Sequence, residues 1–211
     1  MMIISLLNQK GGVGKTTLAV NLAMGLSERD NRVMLIDADP QGSSLTWSGN
    51  REGEGPFPVV GIPKPTLHKE LPKLTNNYDF IIVDGPPRVY DVTRSAILAS
   101  DLILIPVTPS PYDVWATEET VKVIQEVKPF KESLKSFFVI NRKIMNTVIG
   151  RDVIDALANY DIPVMKSQLC QRVSFAETAG EGKTVLETAP ESQASDEVRA
   201  LIQEILEALN Q

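Results

Sequence analysis

The sequence predicts an α/β protein: a single doubly wound, mainly parallel sheet with helices on both faces. Three observations carry this. Short, almost wholly apolar runs recur along the chain and alternate with stretches of helical spacing, as expected of strands covered on both sides. A glycine-rich loop stands between the first such run and the first helix. No composition shift, internal repeat or low-complexity block divides the 211 residues, so 1–211 reads as one domain with a substantial core.

The elements follow in order. The run at 3–7 is the first strand, and helical spacing begins at Leu18 after the loop. A second strand, 33–36, ends at Asp37. The polar, Gly- and Pro-rich stretch 41–65 holds loops, a short helix at 43–48 and a short strand at 59–62. Helical spacing returns at 66–74. The apolar strand 80–83 again ends in an aspartate, Asp84. Strands at 102–107 and 137–140 follow, with amphipathic helices at 92–99, 114–127 and 149–159. Residues 162–165 read as a last strand with a proline near its start. Val198, Leu201, Ile202, Ile205, Leu206 and Leu209 form an apolar stripe on a terminal helix. Its polar side is acidic, so it reads as docked on the core rather than on anionic lipid.

Composition removes several function classes. Charged residues at 23% and hydrophobic ones at 43% are ordinary for a globular domain. The single cysteine, Cys170, permits no internal disulfide, suits a reducing cytoplasm and reads as a packed small side chain. The one histidine, His68, lies in a polar, proline-flanked stretch and reads as surface. Histidine catalysis and His/Cys metal clusters therefore have little to work with. No apolar stretch is long enough to span a bilayer. A net charge of −6 is not that of a nucleic-acid-binding protein as a whole, though it leaves room for a local basic face.

The chemistry concentrates in Lys10-Gly11-Gly12-Val13-Gly14-Lys15-Thr16-Thr17. Strand, glycine loop, Lys-Thr and helix are the context of a phosphate-binding P-loop. Glycines let the backbone N–H groups and the helix N-terminus face phosphate oxygens. Lys15 is placed to reach the β- and γ-phosphates, and the Thr16 hydroxyl to ligate Mg²⁺. Gln9 stands where the common pattern has its first glycine, and an extra lysine, Lys10, opens the loop. Ligands of doubly wound sheets bind beyond the carboxyl ends of the strands, where Asp37, Asp39 and Asp84 fall. Asp84 is the candidate to hold Mg²⁺ through a water; Asp37 reads equally as a magnesium-shell residue or as a turn residue.

With Lys10 and Lys15 together, the loop resembles the deviant Walker A motif of the ParA/MinD family of ATPases. Asp37-Ala38-Asp39-Pro40-Gln41 resembles that family's second signature, the 106–113 segment its proline-rich segment, and 171–177 and 182–185 its C-terminal part. The resemblance implies an ATP- and Mg-dependent ATPase in which Lys10 reaches the partner subunit's nucleotide. It implies that Asp39 orients the attacking water, while Asn141 and Pro109 approach adenine, although Asn141 reads equally as a turn residue. Arg142 and Ile144 do not complete a guanine-specifying pattern after Asn141, so ATP is expected over GTP. By resemblance the chain is a short ParA-type protein, without an N-terminal DNA-binding domain, driving plasmid or chromosome partition. Such proteins are cytoplasmic and nucleoid-associated. They form an ATP-dependent homodimer that binds DNA non-specifically, and a centromere-binding adaptor protein stimulates hydrolysis. Arg142, Lys143, Arg151, Lys166, Arg172 and Lys183 are the candidate DNA contacts. Two relatives on the same scaffold are alternatives: an ATPase that positions a protein cargo, and a MinD-like membrane-cycling ATPase. A nitrogenase-type iron protein needs at least two cysteines per chain and is excluded.

Overall fold

Residues with apolar side chains at every position can satisfy a backbone ladder only inside a sheet covered on both faces. The computed structural model describes residues 1–74, 76–145 and 149–210, apart from the side chains of 149–151. In it these runs become six parallel strands: β1 Met2–Leu6, β2 Val33–Asp37, β3 Val59–Gly61, β4 Phe80–Asp84, β5 Leu102–Val107 and β6 Lys135–Ile140. Their order across the sheet is β3-β2-β4-β1-β5-β6. The register sets Asp37 beside Asp84, and Asp84 beside Leu6, where the glycine loop departs. Three chain segments far apart in sequence thus end side by side at the carboxyl edge.

The helices are α1 Lys15–Ser27, α2 Ser43–Gly49, α3 Leu67–Glu70, α4 Tyr90–Ala99, α5 Pro111–Val127, α6 Ile149–Leu157, α7 Val173–Gly180, α8 Val185–Thr188 and α9 Gln193–Asn210. Strand alternation divides the core. Ile3, Ile36, Ile81, Val83, Ile103 and Ile105 pack with residues of α3, α4, α5 and α6. Ile4, Leu6, Leu35, Ile82, Leu102 and Leu104 pack on the other face with α1, α8 and α9. Val198, Leu201, Ile202 and Ile205 of α9 are fully buried in this second cluster, as expected of a docked helix. No helix among the described residues is long and apolar enough to cross a membrane.

The structure corrects several readings. The 66–74 segment is a single helical turn followed by a 3₁₀ turn over Leu71–Leu74, where Pro72 has no N–H to give an α-helical bond. Residues 162–165 do not form a strand. Val164 makes one bridge to Phe138, whose N–H donates to the Pro163 carbonyl and whose carbonyl accepts from Met165. Pro163, with no N–H, limits the pairing to that rung. His68 is not a free surface residue: it is half-buried, with Nδ1 2.8 Å from Ser95 Oγ on α4.

Ile202 is 1% exposed, and a side chain at Gly25 of α1 would collide with it. Ile202→Ala is expected to lower unfolding stability by about 2–5 kcal/mol, measured by urea denaturation, through lost burial and an unfilled cavity. A loss below ~0.5 kcal/mol would mean that α9 is not packed as described.

Candidate nucleotide-binding site

Gly12 and Gly14 adopt positive φ, +78° and +89°, a conformation that side chains with a Cβ rarely take. The loop therefore turns tightly from β1 into α1, whose first residue is Lys15. Lys15 is buried, and its Nζ donates to the carbonyls of Asn8 at 3.0 Å and Lys10 at 3.1 Å. Burial lowers its pKa, opposed by the charges of Asp84 and Asp39. The ammonium is thus held under the loop, where N–H groups and a cation can meet phosphate oxygens. Gly11, Gly12 and Val13 line a cavity of about 320 Å³ above the loop, with Pro109 and Arg142 on its walls. Thr17 continues α1, its carbonyl accepting from Asn21 Nδ2.

The aspartates differ sharply. Asp84 is fully buried at the end of β4. Its Oδ2 accepts from Thr16 Oγ1 at 2.7 Å and from Ser44 Oγ at 2.8 Å. Its Oδ1 is buried without a hydrogen-bond partner among the described residues. Burial pushes its pKa up to about 6, against the pull of those two hydroxyls. Asp37 is also buried, which raises its pKa, but its oxygens accept from the backbone N–H groups of Asp39 at 3.1 Å and Leu45 at 3.0 Å. It braces the β2–α2 connection, so of the two aspartates expected around magnesium only Asp84 has an unpartnered oxygen. Asp39 is half-buried on that connection, and its Oδ1 accepts from the Gln41 N–H at 2.9 Å.

A buried carboxylate with one oxygen held by two hydroxyls and the other unpartnered fits a magnesium ion. Among the described residues no group of three or more His, Cys, Asp or Glu could hold a metal alone. Magnesium needs no such cage, because it binds through one or two carboxylates together with water and phosphate. A threonine hydroxyl that donates its single proton to Asp84 still has lone pairs for the ion.

The remaining candidates take unforeseen positions. Lys10 Nζ forms an ion pair with Asp113 Oδ1 on the first turn of α5, although not in hydrogen-bonding geometry. The α5 helix also binds the loop through Thr120, whose Oγ1 accepts from the Gln9 N–H at 3.0 Å. Asn141 is buried, and its Nδ2 donates to the Val13 carbonyl at 2.8 Å, bracing the loop from behind. Arg142 has a left-handed φ of 56°, and its Nη1 donates to the Gly12 carbonyl at 2.9 Å. Of the other proposed DNA contacts, two are paired with carboxylates. Arg172 is paired with Glu197 at 2.6 Å, Lys183 with Glu181 at 3.0 Å, and Lys143 donates to Gln168. Lys166 is exposed, and the Arg151 side chain lies outside the described residues. Sequence reasoning missed Ser44, Asp113 and Asn8 as parts of the site. No local signal marked Ser44, whose partner lies 40 residues on.

Residues 4–185 match the model of the CobQ/CobB/MinD/ParA nucleotide binding domain. The chain is 31% identical over 207 residues to the maintenance of carboxysome distribution protein A of Halothiobacillus neapolitanus, covering 96% of this chain and 95% of that protein. It is 28% identical to the chromosome-partitioning ATPase Soj of Thermus thermophilus, covering 96% and 94%. Among solved structures, Cyanothece apo McdA superposes with a TM-score of 0.80 at 18% identity, covering 97% and 99% of the two chains. The septum site-determining protein MinD of Pyrococcus horikoshii, complexed with Mg-ADP, gives 0.77 at 22%, covering 97% and 95%. These two likenesses show the fold.

The buried Asp84 carboxylate carries a stability cost with a defined pH window. Its folded pKa, about 6, lies above the unfolded value of about 4. The cost is complete above pH 6, fades as pH falls and vanishes below about 4. Asp84→Asn should therefore stabilise the free protein at pH 8 by on the order of 2–3 kcal/mol, with the gain gone near pH 4. Urea denaturation across that range is the check; a gain that does not depend on pH would contradict the ionised, buried carboxylate.

Proposed function

The chain belongs to the CobQ/CobB/MinD/ParA nucleotide-binding family, and from that premise we propose that it is a magnesium-dependent ATPase whose cycle distributes a cargo along DNA. One observation carries the reading: Lys15, Thr16 and Asp84 converge at the loop, with Thr16 donating to one Asp84 oxygen and the other oxygen left without a partner among the described residues. Lys15 neutralises phosphate charge, and the N–H groups around Gly12 to Thr17 cradle the phosphates. Thr16 and Asp84 would hold magnesium, which draws charge from the transferred phosphoryl group. Asp39, half-buried and close enough for its charge to act on Lys15, orients the attacking water. Asn141 shapes the loop and Pro109 faces the base.

Lys10 has two partners in this scheme. In a single chain it pairs with Asp113. When two chains close on ATP, it transfers to the partner's phosphates and supplies a cation in trans, an arrangement worth roughly 10³–10⁵ in rate where arginine fingers do it. The ATP-bound dimer binds DNA through phosphates, without sequence preference, and an adaptor on the cargo releases it by stimulating hydrolysis. Plasmid or chromosome partition by a centromere-bound adaptor is one cargo, and the likeness to Soj supports it. A protein body is the second, supported by full-length similarity to a protein named for maintaining carboxysome distribution. On either reading the protein works in the cytoplasm, on the nucleoid. A membrane cycle has less support, because the apolar stripe of α9 is buried against α1.

Lys15→Ala should abolish binding of a fluorescent ATP analogue. Lys10→Ala should retain monomer binding but fail to form an ATP-induced dimer in size-exclusion light scattering. If Lys10→Ala loses binding as completely as Lys15→Ala, Lys10 acts on its own nucleotide and the trans scheme falls.

Asp39→Ala should bind ATP and dimerise yet release phosphate at least ~10²-fold more slowly, trapping the dimer on DNA. Turnover at the wild-type rate would make Asp39 a turn residue only.

A further inference from the structure

Ser44 belongs to none of the expected signatures. It is fully buried on the short helix α2, 40 residues before Asp84 in sequence, with its Oγ 2.8 Å from Asp84 Oδ2. Thr16 Oγ1, on α1, donates to the same oxygen at 2.7 Å. A carboxylate turns easily about its terminal torsion, whose minima are broad. Two donors from different elements converging on one oxygen hold the group and leave Oδ1 as the buried oxygen with no partner among the described residues. Thr16 alone is a poor anchor, because its hydroxyl must also serve the ion. Ser44 has no such second duty.

The position of Ser44 is itself secured at both ends of α2. The adjacent Leu45 N–H donates to Asp37 Oδ2 at 3.0 Å. Further along, Trp47 Nε1 donates to the Lys183 carbonyl at 3.0 Å, and Arg51 pairs with Glu187 at 2.6 Å over the Trp47 ring. The serine hydroxyl is therefore held in place by contacts it does not make itself.

We propose that Ser44 is a positioning residue for magnesium: it holds Asp84 by one oxygen so that the other is presented to the ion. This rests on the nucleotide-site reading above. Outer partners of metal-holding side chains typically change metal affinity by 10–100-fold when removed. In Ser44→Ala the magnesium concentration giving half-maximal tight binding of a fluorescent ADP analogue should rise about tenfold. Its affinity for the same analogue in EDTA should stay within about twofold of wild type, which a general packing defect would not allow. Because the serine acts through the carboxylate, Ser44→Ala should cause no further loss of affinity at fixed magnesium in an Asp84→Asn background. An unshifted magnesium response overturns the proposal, as do equal losses with and without magnesium, or additive losses in the double variant. Wild-type protein that binds no nucleotide under either condition would instead remove the nucleotide-site reading, and this inference with it.

Discussion

Everything at the carboxyl edge of the sheet depends on one buried carboxylate. Asp84 ends the strand that lies between β1 and β2, and its side chain meets the start of α1 and the start of α2 at once. Thr16 and Ser44 tie those two segments to it. A buried carboxylate is held against its solvation preference, and its raised pKa is the sign of that. Natural folds keep such a group where a cation or a phosphate complex compensates the burial. The destabilised carboxylate is thus evidence about function, because it adds nothing to the stability of the free chain.

The loop is braced from more directions than its sequence suggests. Asn141 holds it from β6, Thr120 and Asp113 from α5, and Asn8 and Lys10 offer carbonyls to Lys15. A side chain at Gly14 would collide with the Asn141 amide, so the tight turn and the brace require each other. The lysine end of the Lys10–Asp113 pair is half-exposed, so Lys10 can reach another anion, at the cost of leaving the buried Asp113 carboxylate without its cation. That makes it compatible with a lysine that serves one chain when alone and another when paired.

The parts legible in the sequence were those with local signals. Wholly apolar runs located β1, β2, β4, β5 and the buried half of β6, because a strand covered on both faces leaves no room for polar alternation. The same signal over-read 162–165, and β3 is a short, largely exposed strand. Gly-x-Gly-Lys-Thr after a strand located the loop. Roles set by distant partners were not legible. Ser44 at the start of a helix looks like a cap, and only the fold brings it to a residue 40 positions on. Asp113 looks like an acid favoured by a helix N-terminus until β1 and α5 bring it to Lys10. Arg172 looks like an available cation until Glu197 of α9 packs beside it. His68 looks exposed among polar neighbours, yet Ser95 of α4 covers it.

The most direct test of the account is calorimetric titration of the wild-type chain with ATP, once with Mg²⁺ and once with EDTA. One ATP should bind per chain, more tightly with the metal, and GTP should not displace it at equal concentration. Binding that magnesium does not tighten, or no saturable binding at all, would contradict a site built around the free oxygen of Asp84.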